Sequence, residues 1–206
     1  MRSTAAASCR FAVALALAAS AHDALAQQPI DAPILKPFAD NRQWLLVEDV
    51  RYTVGTTAVT VTVPSGFVTD FASIPQAFWS LGLSPNGRYS KAAIVHDYLY
   101  WSQSCSRLQS DNLLLIAMKE SHVDARTRDT IYSGVRVGGD GSWNGNARER
   151  RDHLPRVVPR ELRSFGPDVL WADYRQDLRG QGVEDPVFPT DPEYCRLGDG
   201  TDVPRP

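Results

Sequence analysis

The stretch from Gly66 to Asp111 constrains the fold of this chain most, because it sets polar side chains among apolar and aromatic ones. It contains the segments GFVTDFASIP and AAIVHDYLYW, followed by the helix-start pattern SRLQSDNLLL. A polar group in such surroundings is at least partly desolvated, and it is stable only if it is hydrogen-bonded, paired or bound to a ligand. The polar residues of this cluster are Asp70, Ser73, His96, Asp97 and Asp111. We call them the motif residues and take them as the candidate site.

The first 26 residues have the pattern of a secretory signal peptide. Arg2 and Arg10 supply positive charge, residues 11–19 form an apolar run, and Ala24-Leu25-Ala26 is typical of a cleavage site. The apolar run is shorter than the about 20 residues that span a bilayer, and no second run of that length follows. We therefore expect cleavage after Ala26, no integral membrane segment in the processed chain, and a periplasmic or secreted location.

Charge and length exclude some classes of function. Cleavage after Ala26 leaves 180 of the 206 residues, which is enough for one domain with a substantial core. Removing Arg2, Arg10 and Asp23 from the 22 basic and 24 acidic side chains leaves a net charge near −3. This balance favours neither a nucleic acid nor an anionic membrane surface as the partner.

Two cysteines, Cys105 and Cys195, follow the predicted cleavage site. In an oxidising compartment an even pair is most simply a disulfide, and this one would close a loop of about 90 residues and stabilise the fold by about 4 kcal/mol. A nucleophilic Cys105 paired with His96 is the alternative, but exported thiols are usually oxidised. We therefore predict a structural disulfide that holds the C-terminal part of the chain to its body.

The hydrophobic pattern predicts strands first and helices afterwards. Residues 44–54 and 58–63 are rich in Val, Thr and aromatic residues, and Gly55-Thr56-Thr57 between them is typical of a hairpin turn. Residues 66–70 supply a third short strand. Ser73 then stands at an N-cap position with capping-box spacing to a glutamine, which predicts the start of a helix.

Three further helices are predicted by apolar spacing and by caps. They cover residues 89–102, a segment that starts near Ser106 with a capping box, and residues 124–137, where Gly138-Gly139 is expected to end the helix. Beyond Trp143, eight prolines predict an extended arm with at most a short helix near residues 169–178 and a mobile acidic end.

These patterns define an α+β fold class, with a small antiparallel β-sheet made of a hairpin plus a short strand, followed by a layer of three to four helices. The expected organisation is a signal peptide at 1–26, an irregular lead-in at 27–40, an α+β domain at 41–144 and a proline-rich C-terminal extension at 145–206.

One interpretation of the motif residues is a metal site. His96, Asp97 and Asp111 would bind a divalent metal such as Zn²⁺ or Mn²⁺, with Asp70 nearby, because imidazole and carboxylate groups suit these ions. Adjacent helical residues diverge by about 100° around the helix axis. His96 and Asp97 therefore coordinate one ion only at an irregular helix end or at the rim of the helix.

A second interpretation is acid–base chemistry without a metal. Its candidate catalytic residues are His96, Asp97, Asp70 and Ser73. His96 would act as the base, oriented by Asp70 or Asp111, and Ser73 as the nucleophile. The N-cap position already explains Ser73, however, and no Gly-x-Ser-x-Gly elbow surrounds it.

A third interpretation is structural. The same side chains would form a buried hydrogen-bond network that caps helices and fastens the strands to the helical layer. Asp111 in particular is favoured in the first turn of its helix by the helix dipole alone.

The combination of GFVTDFASIP, AAIVHDYLY, SDNLLLIAM and IYSGVRVGG before a tryptophan resembles a family of uncharacterised domains found in bacteria, phages and prophages. The resemblance covers about residues 41–144. It implies a compact α+β module whose motif positions are the five motif residues, and a phage association that points to the cell envelope as the place of work. It implies no activity, because the family is named for having no known function.

Two hypotheses for the function follow. The first is an exported hydrolase that acts in the cell envelope on peptidoglycan or a similar substrate, with or without a divalent metal. The second is a phage-related, non-catalytic binding or assembly module with a protein partner. An enzyme needs a solvent-reachable cleft where His96 and a carboxylate converge, whereas the module needs them buried and mutually satisfied.

Overall fold

The structure begins with a small antiparallel sheet. The computed structural model describes residues 32–71 and 89–205. Strand β1 (Leu35–Pro37) pairs antiparallel with β2 (Trp44–Leu46), and the other edge of β2 pairs antiparallel with β5 (Val68–Thr69). The short strand expected at residues 66–70 is therefore present, and it pairs with β2.

The predicted hairpin is confirmed. Strand β3 (Val50–Thr53) pairs antiparallel with β4 (Thr60–Val63), in the register that sets Val50 opposite Val63. Gly55 in the turn has a φ of 62°, which suits glycine. Side chains of β3 alternate between buried and exposed, as expected for a strand with one face on the core.

The segment 44–54, predicted as one strand, is divided between the two sheets. Leu45 and Leu46 are adjacent and both fully buried, so β2 has apolar surroundings on both of its faces. Leu46 packs in the main core with the hairpin and the first two helices, while Leu45 packs in a second, smaller core. The chain bends through exposed residues 47–49 before β3 begins.

Two predicted helices form the centre of the helical layer. Helix α1 (Ser90–Ser102) is buried on all sides, and every residue in it except Lys91 is buried. Helix α2 (Arg107–Glu120) starts at the predicted capping box, in which Ser106 and Gln109 bond reciprocally. Because α1 is surrounded by packed elements, its polar side chains His96 and Asp97 are carried into the interior.

Helix α3 (Ala125–Arg151) is much longer than predicted. It starts at the N-cap Asp124, as expected, but the predicted stop at Gly138-Gly139 is wrong. A glycine within a helix costs only about 1 kcal/mol relative to alanine, so tertiary contacts override it. Gly139 has a packing reason, since a Cβ atom there would collide with the Tyr100 hydroxyl. The domain boundary expected at residue 144 falls inside this helix.

The C-terminal extension folds back onto the domain, so the expectation of an extended arm is wrong. The predicted short helix is present as α4 (Trp171–Gly180), and a turn of 3-10 helix (Arg160–Leu162) and helix α5 (Glu193–Leu197) are added. Prolines kept these elements short but did not prevent packing. The second core combines residues of both parts: Phe38, Leu45, Val68, Val158, Trp171 and Leu178.

These elements together confirm the α+β fold class, with small antiparallel sheets followed by helices. Within the described ranges, no helix is long and apolar enough to cross a membrane. The helix start predicted at Ser73 lies outside the described residues.

The predicted disulfide between Cys105 and Cys195 is present, and it joins the start of α2 to α5 across 90 residues of sequence. Both cysteines are buried, and Cys195 is fully so. The bond therefore fixes the end of the extension to the helical layer.

Replacing both cysteines with serine should lower the free energy of unfolding by about 4 kcal/mol, because the unfolded chain regains the entropy of a long loop. Urea unfolding of the oxidised wild type and the double variant measures this difference. Adding a reductant should destabilise the wild type and leave the double variant unchanged. Two alkylatable thiols in the native wild type would contradict the assignment.

Candidate functional site

The Asp111 carboxylate is the centre of a buried network. It is 0% exposed. Its Oδ1 accepts hydrogen bonds from His96 Nε2 at 2.9 Å and from the Tyr100 hydroxyl at 2.6 Å. Its Oδ2 accepts from Arg136 Nη1 at 2.6 Å and from Arg107 Nη1 at 3.3 Å. Four donors from α1, α2 and α3 therefore converge on one carboxylate.

The helices explain this convergence. His96 and Tyr100 lie one turn apart on α1, so their rings point to the same side, with centroids 4.1 Å apart. Arg107 lies one turn before Asp111 on α2. Arg136 reaches across from α3 at the level where Gly139 leaves room for Tyr100.

The network sets the ionisation of its members. Burial by itself raises the pKa of Asp111, but the hydrogen bonds from His96, Tyr100 and Arg136 together hold that pKa below its ordinary value. Burial and the adjacent Asp111 raise the pKa of Tyr100. Asp111 is therefore an ionised acceptor at neutral pH, and Tyr100 is a protonated donor.

The bond to Asp111 fixes the tautomer of His96. An ionised carboxylate only accepts, so Nε2 carries the hydrogen, and in the neutral ring Nδ1 keeps a lone pair. His96 is 2% exposed, and its Nδ1 has no hydrogen-bond partner in the described part of the chain. Nδ1 is therefore a buried nitrogen with a lone pair, and the bond from Nε2 to Asp111 fixes the orientation of the ring.

Asp97, the next residue on α1, is turned toward the sheet. Its Oδ2 accepts from the Thr69 hydroxyl at 2.5 Å and from the Asp70 amide at 3.1 Å. The Thr69 hydroxyl in turn accepts from the amide of Phe71, which has a positive φ of 60°. Asp97 therefore fixes the end of β5 and the unusual backbone that follows it. Asp70 Oδ1 lies 3.6 Å from Arg156 Nη2.

These residues border a cleft of about 630 Å³. Asp70, His96 and Asp97 line it, while the fully buried Asp111 lies behind His96. The structure thus brings four of the five motif residues to one region, and Ser73 lies outside the described residues. A cleft of this size is in the usual range for small-molecule sites.

The C-terminal extension forms the opposite wall of the cleft. Arg156, Trp171 and Arg175 line it. Both guanidinium groups lie over the Trp101 ring, at 5.4 and 5.0 Å from its centroid. Trp101 donates from Nε1 to Asp185 at 2.5 Å, which ties this wall to α1.

The charges of this wall are paired within the protein. Arg175 Nη1 bonds Glu149 Oε2 at 2.6 Å and Arg175 Nε bonds the carbonyl of Pro155 at 2.7 Å. Burial lowers the pKa of Arg175, although Glu149 opposes this effect. Arg156 is held by the carbonyl of Val68 and by Asp70.

Several site residues were not found from the sequence. Tyr100 has a local signal, since it lies four residues after His96 on a predicted helix. Arg136, Arg156 and Arg175 have none, because their contacts cross 25 to 88 residues of sequence. The prolines of the extension predicted an extended arm, so its contribution to the cleft wall was missed.

The predicted metal ligands are His96, Asp97 and Asp111. Their hydrogen bonds do not direct these three side chains toward a common point. Both oxygens of Asp111 are occupied by four donors, and His96 Nε2 is directed at Asp111. Among the described residues, no group of three His, Cys, Asp or Glu side chains has a metal-binding arrangement. The geometry favours Asp111 as a support for His96, and the metal set stays a prediction.

Comparison with known proteins finds similarity to proteins whose descriptions give no activity. Residues 44–135 match the model of a family described as a protein of unknown function (DUF1353). An uncharacterized protein of Sinorhizobium fredii, y4jT, is 35% identical over 86 residues, which are 41% of this chain and 20% of the relative.

The predicted resemblance to a domain family of unknown function is therefore confirmed. The chain covers about a fifth of the length of the relative in Sinorhizobium fredii. No solved structure matches the chain. The function consequently has to be inferred from the cleft.

Replacing Asp111 with asparagine should destabilise the fold by about 3 kcal/mol, because the guanidinium groups lose their buried counter-charge, and so lower the Tm by roughly 6–12 °C. Asp140→Asn is the matched control. Asp140 also pairs with Arg107, at 3.0 Å, but it is 69% exposed, so its loss should cost less than about 1 kcal/mol. Equal Tm changes in the two variants would contradict the network.

Wild type and the Asp111→Asn variant also give a prediction for how stability depends on pH. Because the pKa of folded Asp111 lies below its ordinary value of 3.8, its ionised form stabilises the fold above that value, and this stabilisation is lost as the pH falls through the lower, folded-state pKa. The stability difference between wild type and Asp111→Asn should therefore shrink in strong acid. Urea unfolding over an acidic pH series measures it, and a difference that grows toward low pH would refute the lowered pKa.

Proposed function

We propose that this protein is a hydrolase of the cell envelope in which His96 is the general base. The observation that carries the proposal is the buried His96 ring in the cleft, held through Nε2 by Asp111 and left without a described partner at Nδ1. A general base needs a lone pair aimed at the site of reaction and a neighbour that fixes the tautomer. His96 has both.

In the proposed reaction, His96 Nδ1 takes a proton from a water molecule as the water attacks an electrophilic centre of the bound substrate. The imidazolium that forms is stabilised by Asp111, which stays ionised because of its lowered pKa. His96 later returns the proton to the leaving group, so the enzyme is restored. Tyr100 and Arg136 keep Asp111 in place throughout.

Arg156 is the candidate for stabilising the negative charge that develops on the leaving group. Its ion pair with Asp70 is 3.6 Å long, whereas Arg175 and Glu149 are 2.6 Å apart. The guanidinium with the longer pair is more easily shared with a ligand, and positioned cations stabilise developing negative charge strongly. Asp97 acts indirectly, since its bonds position Asp70 at the border of the cleft.

Two features support the cell envelope as the location of the proposed activity. The N-terminal residues have the signal-peptide pattern. The Cys105–Cys195 disulfide suits an oxidising compartment. Peptidoglycan is the abundant hydrolysable polymer of that compartment, and it is the proposed substrate.

A non-catalytic binding module is the second candidate. It is favoured by the bonds of Asp97 and Asp111, which are satisfied within the protein and tie the sheet and three helices together. In that case His96 would be part of a scaffold, and its replacement would change stability rather than turnover.

Replacing His96 with glutamine separates the two candidates. The glutamine amide can still donate to Asp111, but it has no basic nitrogen, so turnover should fall by about 100-fold or more while the Tm changes little. The assay is the release of soluble fragments from purified bacterial sacculi. His153→Gln is the control, because His153 is exposed and pairs with Glu184 away from His96.

The same assay addresses the metal. Dialysis against a chelator should leave the activity and the Tm unchanged, because a bound ion would otherwise stabilise the folded state. A loss of both on chelation, restored by Zn²⁺ or Mn²⁺, would favour the metal set. Wild-type turnover in His96→Gln would refute the base, and an inert wild type would refute this substrate.

A further inference from the structure

Helix α3 presents a long stripe of small and neutral residues to the cleft. The stripe residues recur every four positions, so each lies beside the next on the helix surface, in a row that is inclined to the helix axis. They are Thr130, Gly134, Gly138, Ser142 and Asn146, and all of them line the cleft. At 1.5 Å per residue the stripe is about 24 Å long. The cleft thus has one long wall on α3 that carries no side chain at Gly134 and Gly138, beside Ile131 and Val135.

Packing within the described chain does not require the two glycines of this stripe. A Cβ atom built on Gly134 or Gly138 would have no described atom within 4 Å. Gly139 differs, since its missing Cβ is explained by Tyr100. Glycine weakens a helix relative to alanine, so these two glycines do not stabilise the helix. What they provide is an open helix surface at these two positions.

An independent observation indicates that the cleft takes a ligand. His96 lines the same cleft and is 98% buried, yet its Nδ1 has no hydrogen-bond partner among the described residues. A buried polar atom without a partner is unfavourable, and a ligand hydroxyl can donate to it.

The charges of the cleft disfavour an anionic ligand. Arg175 is paired with Glu149 and Arg156 with Asp70, so the walls offer no unbalanced charge from these groups. Asp97 also lines the cleft, and its carboxylate is bonded by the Thr69 hydroxyl and the Asp70 amide, so the described lining holds three carboxylates and two guanidinium groups. Its other polar side chains include amides and hydroxyls, which bond neutral groups well. They are Gln43, Thr130, Ser142, Asn146 and Gln176.

We propose that the cleft binds a linear, neutral glycan along α3, with the bond to be cleaved beside His96. A pyranose ring has C–H groups on its faces and hydroxyl groups around its edge, which matches a bare helix surface bordered by amides and hydroxyls. The length of the stripe exceeds one ring, so several sugar units bind together. This inference names the substrate of the proposed hydrolase and rests on that function for the role of His96.

An extended peptide fits the same wall less well. Peptides that bind in extended form usually pair with the edge of a sheet. The described lining residues lie in helices and loops, and the backbone groups of α3 are already bonded within the helix. A stem peptide of the cell wall is therefore the competing ligand that the test has to exclude.

Isothermal titration of the full chain with a linear tetramer of N-acetylglucosamine tests the proposal. The tetramer should bind about tenfold or more tightly than the single sugar, and more tightly than a neutral peptide of similar length. Equal affinity for the tetramer and the single sugar, or a preference for the peptide, would overturn the proposal.

Two leucine substitutions on α3 locate the site. Gly138→Leu places a side chain in the cleft and should weaken tetramer binding by about tenfold or more without lowering the Tm. Gly141→Leu is the matched control, because Gly141 also has no described neighbour within 4 Å and is not among the described lining residues. Unchanged binding by Gly138→Leu, or equal loss in both folded variants, would overturn the placement.

The His96→Gln variant separates this inference from the proposed function. Tetramer that binds in the cleft, while neither protein releases fragments from sacculi, supports the glycan site and refutes the proposed hydrolysis of sacculi. Cleavage of sacculi by a wild type that does not bind the tetramer refutes the glycan site and supports the hydrolase. Binding by both proteins, with cleavage by the wild type alone, supports both.

Discussion

The Asp111 carboxylate is the interaction on which the rest of this structure depends. Its two oxygens accept from His96, Tyr100, Arg107 and Arg136, so one buried charge joins α1, α2 and α3. A buried carboxylate is strongly unfavourable without such partners. The fold must therefore bring each of these partners to Asp111. Gly139 is part of this arrangement, because its missing side chain leaves room for the Tyr100 hydroxyl. The geometry of His96 is a consequence of the same arrangement.

The cleft depends on a second set of bonds, which attach the C-terminal extension. Asp185 accepts from the Trp101 indole and from the amides of Arg156 and Val157, and so connects the extension to α1. Trp171 and Leu178 complete the second core against Phe38, and the Cys105–Cys195 bond holds the end of the chain. The family match ends at residue 135, whereas the wall formed by Arg156, Trp171 and Arg175 lies beyond it. Both parts of the chain therefore line the cleft.

Local sequence signals correctly predicted turns and helix starts, because these depend on residues that are close together in the sequence. The hairpin turn at Gly55, the capping box at Ser106 and the N-cap at Asp124 each appear where expected. His96 and Asp111 were recognised as candidates because both are polar residues in apolar helices. The sequence did not decide which acid supports His96, because that depends on how α1 packs against α2. The stop predicted at Gly138-Gly139 and the free arm after Trp143 were wrong, since long-range packing overrode glycine and proline in both cases.

The central claim is that Asp111 holds His96 as the tautomer with hydrogen on Nε2 and a lone pair on Nδ1. Nitrogen-15 NMR of histidine-labelled protein, at a pH where the His96 ring is neutral, reports which ring nitrogen is protonated. The account predicts a protonated Nε2 and an unprotonated Nδ1 in the wild type. A ring protonated on Nδ1, or a ring that exchanges freely between the two tautomers, would contradict it.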